Sequence, residues 1–267
     1  MTEFRLFLPI LPDQYTATDT SFEYPLTIGN IKTNKMPDLT MQVGCNWELR
    51  VDTYVSTDIS FVGLKTRGSN DNALELKVRK PEISSMQWLE YWTKYKLKAK
   101  KSSLQKTLKE CLSAEGYQHL LDEIVPKISD SANRTVSVRK SRKKNIYDKV
   151  TLEMTLISTD IAPTKSDDPQ WISYAVEAEN PSDILEYFSA LGSTPANESP
   201  SPWDCALNLL KLIRCDDRRT LPMPILSGYP MWLQYITASV ENPTLLDDAM
   251  SRLTSFESFI NDCRAKK

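Results

Sequence analysis

Glycine is scarce in this sequence, seven residues in 267, and none falls in a Gly-x-Gly-x-x-Gly or Walker-type run. Backbone phosphate cradles of the P-loop and dinucleotide-binding kinds are thereby excluded, and any phosphate would have to be held by side chains. Histidine is rarer still. The single ring, His119, sits in the helix-like run Ala114-Glu115-Gly116-Tyr117-Gln118-His119-Leu120-Leu121. Multi-histidine metal centres are impossible, Ser-His-Asp or Cys-His catalysis would have to pass through this one ring, and it reads as an ordinary helical residue. The five cysteines (Cys45, Cys111, Cys205, Cys215 and Cys263) are odd in number, scattered and free of any Cys-x-x-Cys pair. Reduced thiols in a cytosol-like compartment are expected, not a disulfide framework or a zinc site.

Long apolar runs are also missing. Met1-Thr2-Glu3-Phe4-Arg5-Leu6-Phe7-Leu8-Pro9 breaks its apolar residues with charges and a proline, so no signal peptide and no spanning segment are expected, and the predicted location is cytoplasmic. Nor does one sign of charge dominate: Lys+Arg 33 against Asp+Glu 35 leaves a formal net charge of -2. Bulk attraction to nucleic acid or an anionic membrane is absent, so any electrostatic function must be local.

What the sequence does have is strand patterning over its first two-thirds. Residues 3–8, 46–56, 59–67, 73–79, 135–142, 149–158 and 171–179 are rich in β-branched or aromatic residues or alternate in polarity, as strands do. Ser69-Asn70-Asp71-Asn72 marks a turn joining two of them into a hairpin. Between the fourth and fifth strands, Trp88, Leu89, Trp92 and Tyr95, then Leu104, Leu108 and Leu112, then Leu120, Leu121, Ile124 and Val125 recur at helical spacing. A helical insertion over residues 84–128 is therefore predicted. From Pro181 the character turns helical, with segments expected at 182–191, 203–214, 230–239 and 245–263, while three prolines break residues 221–230. No fixed-period repeat and no long linker appear. One domain is expected, a strand-rich unit over residues 1–192 carrying the insertion and a helical extension over 193–267 packed on it; a boundary near Ser193 is the alternative.

Side chains alternate across a strand, so residues two apart share a face. Glu48, Arg50, Asp52 and Tyr54 share one; Lys65 and Arg67 share one with Phe61 and Gly63; Glu75, Lys77 and Arg79 oppose Leu74, Leu76 and Val78. Glu153 lies opposite Leu152 and Met154, and Glu177 and Glu179 lie opposite Tyr174 and Val176. Two architectures satisfy this alternation: an antiparallel sheet with one wet face, or a barrel closed with its charged faces inward and its apolar faces under helices. In a closed tunnel, lysine and arginine groups from several strands would grip phosphate oxygens. Carboxylates among them would suit Mg²⁺ or Mn²⁺.

In order, these strands read Arg50-x-Asp52-x-Tyr54, Gly63-Leu64-Lys65-Thr66-Arg67, Leu74-Glu75-Leu76-Lys77-Val78-Arg79, Val138-Arg139-Lys140-Ser141-Arg142, Leu152-Glu153-Met154-Thr155 and Tyr174-Ala175-Val176-Glu177-Ala178-Glu179. The run resembles the CYTH superfamily of triphosphate tunnel proteins, which includes class IV adenylate cyclases, thiamine and inorganic triphosphatases and fungal-type RNA triphosphatases. Gly228-Tyr229-Pro230-Met231-Trp232-Leu233 resembles a tail of uncharacterised members. The resemblance implies an α+β fold: an eight-stranded antiparallel closed β-barrel with helices outside and a helical C-terminal extension. It also implies that Lys65, Arg67, Lys77 and Arg79 clamp and stabilise transferring phosphate and that Arg5, Arg50, Lys140 and Arg142 bind it. Glu3, Glu75, Glu153, Glu177 and Glu179 would hold Mg²⁺ or Mn²⁺. One departure stands out. The family's first strand carries Glu-x-Glu-x-Lys, whereas here it reads Glu3-Phe4-Arg5-Leu6-Phe7.

Two functions follow as expectations. One is metal-dependent hydrolysis of a triphosphate; the other, favoured by Arg5 and Phe7, is non-catalytic binding of a phosphate-bearing small molecule, or a scaffold contacting a protein partner through the C-terminal helices. RNA binding by the lysines from Lys94 to Lys109 and by Arg139–Lys144 is disfavoured by the near-neutral net charge, and those lysines read as a solvated helix. In the strand predicted over residues 135–142, inward Lys140 and Arg142 also place Val136 and Val138 inward, so either a bulge intervenes or Arg139 is the lining residue.

Overall fold

The computed structural model describes residues 1–9, 47–57, 59–67, 71–81, 86, 88–98, 101–130, 134–161, 171–191, 224–237 and 243–265. Eight strands are β1 (Thr2–Pro9), β2 (Glu48–Val55), β3 (Val62–Arg67), β4 (Asp71–Arg79), β5 (Glu90–Lys98), β6 (Thr135–Tyr147), β7 (Val150–Thr159) and β8 (Trp171–Ala178). They run in the order β5-β4-β3-β2-β6-β7-β8-β1, every neighbouring pair antiparallel. The first residues of β1 then pair back to β5 (Thr2↔Tyr91, Glu3↔Glu90), which closes the barrel. Past that point β1 is bordered by the two-residue β9 (Ile225–Leu226), which pairs with Leu6 and Phe7 and fills the seam that β5 leaves.

Among the described residues the helices are α1 (Lys101–Ala114), α2 (Leu121–Asp130), α3 (Pro181–Leu191), α4 (Tyr229–Thr237) and α5 (Pro243–Ala265). Leu64, Leu76 and Val78 point out of β3 and β4 and pack with Leu108, Leu112, Ile124 and Ile128 of α1 and α2. On the opposite side Phe4, Leu6, Val176 and Leu152 pack with Phe188 of α3 and Phe256 of α5; the Phe4 ring lies 4.7 Å from Phe188 and 4.9 Å from Phe256. The helices therefore cover apolar outer faces, which leaves the alternating charged residues nowhere to point but inward. Among the described residues no helix is long and apolar enough to cross a membrane.

The predicted insertion is corrected at its start. Residues 90–98 are a strand, the eighth of the barrel, and helix begins only at Lys101. Trp92 and Tyr95 match a helical interval, but Lys94 and Lys96 alternate with Thr93, Tyr95 and Leu97, and the period of two decides, with Tyr95 and Leu97 turned outward onto the α1–α2 layer. The lysines from Lys94 onward accordingly begin on β5 instead of a solvated helix. β6 runs on to Tyr147, five residues past the predicted end, so all of Arg139 to Lys144 lies within the strand. His119 sits exposed in a single 3-10 turn. The helix predicted over 203–214 lies outside the described residues.

The C-terminal segment is locked to the barrel at Gly228. Its N–H donates to Glu90 Oε2 at 2.8 Å, and a Cβ there would lie 2.7 Å from Trp92 Cζ2 and 3.1 Å from that same oxygen. Both neighbours are buried. Gly228→Ala is expected to cost about 1–3 kcal/mol, as overpacking in a closed site does; urea denaturation checks it, and a wild-type midpoint would mean that the contact yields freely.

Candidate anion-binding site

Inside the barrel the inward residues change character from one end to the other. At one end Phe7, Tyr54, Val136, Val138 and Ile157 meet Met231, Trp232 and Leu233 of α4 in a buried apolar cluster. Trp232 stacks on Phe7 with ring centroids 4.9 Å apart and planes at 9°. Above this floor lies a cavity of about 110 Å³. Nine cationic side chains (Arg5, Arg50, Lys65, Arg67, Lys77, Lys94, Lys140, Arg142 and Lys144) and only three carboxylates (Glu75, Glu153 and Glu177) line it, with Tyr54, Tyr229 and Pro230 at the floor. Even with the buried Glu3 and Asp52 behind them, the cations are in excess.

Two carboxylates organise the wall. Asp52, fully buried, accepts on Oδ2 from Arg50 Nη2, Lys65 Nζ and Lys140 Nζ, each at 3.0 Å, and its Oδ1 lies 2.9 Å from Arg50 Nε as an ion pair. Lys140 also donates to Tyr54 Oη at 2.6 Å and lies 3.6 Å from the centre of the Tyr229 ring, a cation–π contact strengthened by desolvation. Glu3, equally buried, receives Arg5 Nε at 2.5 Å and Lys77 Nζ at 2.6 Å. Arg5 is itself a hub: its Nη1 reaches Glu153 Oε1 and Ser173 Oγ, each at 3.0 Å, and its Nη2 reaches Glu177 Oε1 at 3.5 Å. Nearer the mouth Arg67 meets Glu75 at 3.0 Å, Lys144 meets Glu153 at 3.2 Å, and Arg142 bridges Glu48 and Glu153.

The charge states follow from these contacts. Burial alone would raise the Glu3, Asp52 and Glu153 carboxyls, but the cations against them (Lys77 and Arg5; Lys140, Lys65 and Arg50; Arg5 and Lys144) hold all three well below the carboxylate range. For Lys65, burial, aided by Arg50 and Arg67 and opposed by Asp52, brings the ammonium down to about 8. Burial, with Lys65 and Arg50 beside it, pushes Lys140 well below the lysine range, and burial with Lys77 nearby lowers Lys94.

Register sets two like-charged pairs face to face, and buried carboxylates already contact them: Asp52 touches both Arg50 and Lys140, and Glu3 touches Lys77. Lys77 stands directly across from Lys94, and Arg50 across from Lys140; such pairs destabilise a sheet unless something negative lies between them. Lys94 donates only to Met1 Sδ, at 3.3 Å, among the described residues.

Of the residues singled out in the sequence, Arg5, Arg50, Lys65, Arg67, Lys77, Lys140, Arg142, Glu75, Glu153 and Glu177 converge on the cavity. Glu3 lies behind the wall under Arg5 and Lys77. Arg79 turns away to Glu90, at 2.8 Å, and Glu179 is exposed beyond the end of β8. β6 keeps its register with both neighbours across 138–142. No bulge is needed: Val136 and Val138 face in at the apolar floor, Lys140 and Arg142 above them, and Arg139 is exposed. Lys94, Lys144 and Tyr229 were missed. Lys144 continues the parity of Lys140 and Arg142 and could have been read; Lys94 is hidden by the helical reading of β5; Tyr229 stands in the Gly228–Leu233 tail motif, which by itself gives it no place in the lumen.

The carboxylates expected to hold a metal are engaged by cationic side chains instead. Among the described residues no group of three or more His, Cys, Asp or Glu is placed to hold an ion. Glu3, Glu153 and Glu177 do converge, but on the Arg5 guanidinium, and Glu75 is taken by Lys65 and Arg67.

No known family profile matches the chain, and no curated protein matches it. Among solved structures it is similar to the PH1819 protein from Pyrococcus horikoshii OT3, at 13% identity and a TM-score of 0.29 over 71% of this chain and 85% of that one. It is also similar to the "putative adenylate cyclase (bh2851)" from Bacillus halodurans, at 11% identity and a TM-score of 0.32 over 58% of this chain and 79% of that one. The fold described above rests on the strand pairing, not on these likenesses.

Proposed function

We propose that this chain is a divergent tunnel protein of the CYTH type that binds a phosphate-rich anion without a divalent metal. The observation that carries the reading is the cationic excess of the cavity lining in a chain whose net charge is -2. Positive charge has been gathered from six strands into one partly enclosed space, where charge-assisted hydrogen bonds to phosphate oxygens are strongest. A polyanion beside Lys94 would supply negative charge where the Lys77–Lys94 pair has only Glu3, on the Lys77 side. Arg5 supplies to Glu3, Glu153 and Glu177 the positive charge that a metal ion would otherwise bring. Hydrolysis is therefore no part of the reading.

Isothermal titration with inorganic tripolyphosphate in EDTA tests it. One molecule is expected to bind per chain, with affinity falling as salt rises and unaltered by adding Mg²⁺. Absence of binding, or binding that requires the metal, would overturn the proposal. Lys77→Ala should weaken binding about 10–100-fold, the worth of a charged hydrogen bond of ~1.5–3 kcal/mol. A pH dependence follows from Lys65. Its ammonium titrates near 8 in the free protein, and a bound anion favours the charged form. Affinity should thus be fully present below that pH and decline above it, with proton uptake on binding at pH 8–9 measurable from heats in buffers of different ionisation enthalpy.

A further inference from the structure

The two ends of the barrel are not equivalent. Toward the mouth the inward side chains are charged and partly exposed, with Arg67 44% and Lys144 38% accessible. At the far end α4 seals the lumen: Trp232 is fully buried, and Pro230 lies so close beneath β3 that a Cβ on Gly63 would meet its ring at 3.0 Å. The seal is anchored to β5, because Ser227 Oγ and the Gly228 N–H, just before α4, both donate to the buried Glu90, at 2.7 and 2.8 Å. Tyr229 is the first residue of the seal to face the cavity. Its ring packs against Tyr54, with centroids 5.3 Å apart. Its hydroxyl is buried and has no hydrogen-bond partner among the described residues, although such groups are nearly always satisfied in a folded protein.

From this geometry we infer that the C-terminal segment turns the tunnel into a single-mouthed cup with Tyr229 as its floor, so that it accepts only anions presenting a terminal phosphoryl group. The inference rests on the phosphate reading above and narrows it. A linear polyphosphate cannot thread through; it can enter only by an end, and the end phosphate meets Lys140 and the Tyr229 hydroxyl, which donates to one of its oxygens. The ligand class is thus a short or chain-terminal phosphoanhydride, not the interior of a polymer.

The experiment compares inorganic tripolyphosphate, a long polyphosphate, and the same long polyphosphate with both terminal phosphoryl groups blocked as amidates, each titrated into the full chain. Tripolyphosphate and the free-ended polymer are expected to bind, the polymer with one protein per chain end whatever its length. The blocked polymer should lose at least tenfold in affinity. Equal affinity for blocked and free-ended chains, or a stoichiometry that grows with length, overturns the cup while leaving anion binding intact; failure of tripolyphosphate itself to bind removes both. Tyr229→Phe, which keeps the ring and its packing, should weaken tripolyphosphate three- to tenfold at unchanged thermal stability. An undiminished affinity in that variant refutes the role of the hydroxyl.

Discussion

Glu90→Ala is expected to destabilise the fold by about 3–5 kcal/mol, the cost of leaving buried partner charges without their counter-ion. Five donors converge on this carboxylate, which is 2% exposed: Arg79 Nη1 at 2.8 Å, Arg252 Nη1 at 2.9 Å, Trp92 Nε1 at 3.0 Å, Ser227 Oγ at 2.7 Å and the Gly228 N–H at 2.8 Å. They come from β4, α5, β5 and the link from β9 into α4, so one side chain joins the barrel seam to the C-terminal seal. Glu90→Gln keeps the volume, but it removes the charge and turns an NH₂ toward donors; it should lose somewhat less. Urea unfolding measures both, and a loss under about 1 kcal/mol for alanine would show that the seal is held by packing alone. Acid should act in the same direction. Burial would raise the Glu90 carboxyl, but Arg79 and Arg252 lower it below its ordinary value, and the Glu3, Asp52 and Glu153 carboxyls are lowered too. A carboxyl depressed on folding stabilises above its unfolded value of ~4 and loses that contribution as pH falls below it. Wild-type stability should therefore drop steeply below about pH 4, and Glu90→Ala should drop less steeply.

Seven of the eight barrel strands are legible from β-branched, aromatic or alternating residues, most cleanly in β4, where Glu75, Lys77 and Arg79 alternate against Leu74, Leu76 and Val78 with no conflicting signal. β5 is not, since its aromatic residues happen to fall three apart and its position before a true helix extends the wrong period across it. The same parity places Arg50, Lys65, Arg67, Glu75, Lys77, Glu153 and Glu177, which need only the direction in which a strand's side chain points, while Arg5, Lys140 and Arg142 rest on the family resemblance. It misplaces Arg79 and Glu179 because a face continues past the part of it that the cavity uses. Arg79 sits at the level of the Glu90 cluster, and Glu179 lies beyond the last residue of β8. Closure by the Thr2↔Tyr91 and Glu3↔Glu90 pairs, and the seal beginning at Tyr229, depend on contacts between segments far apart in the chain. Local pattern holds no record of those.

Arg5→Ala should convert a metal-indifferent protein into one that a divalent cation stabilises. In the wild type the guanidinium contacts Glu3 at 2.5 Å, Glu153 at 3.0 Å and Glu177 at 3.5 Å, and Ser173 Oγ adds a fourth oxygen at 3.0 Å. Removing it leaves three carboxylates converging on a buried space with Lys77, Arg142 and Lys144 at their edges. The apo variant should lose about 3–5 kcal/mol, because buried charges have lost their partner. Oxygen donors in that number are what Mg²⁺ and Mn²⁺ select, so Mn²⁺ should restore stability in a saturable way, by about 2.7 kcal/mol at a hundredfold excess over its Kd. Thermal unfolding with and without Mn²⁺ distinguishes the cases. A wild type that itself gains stability from the metal would show that Arg5 does not fill the role of the resident cation, and a variant that gains none would show that the three carboxylates form an ion-pair cluster with no capacity for a metal.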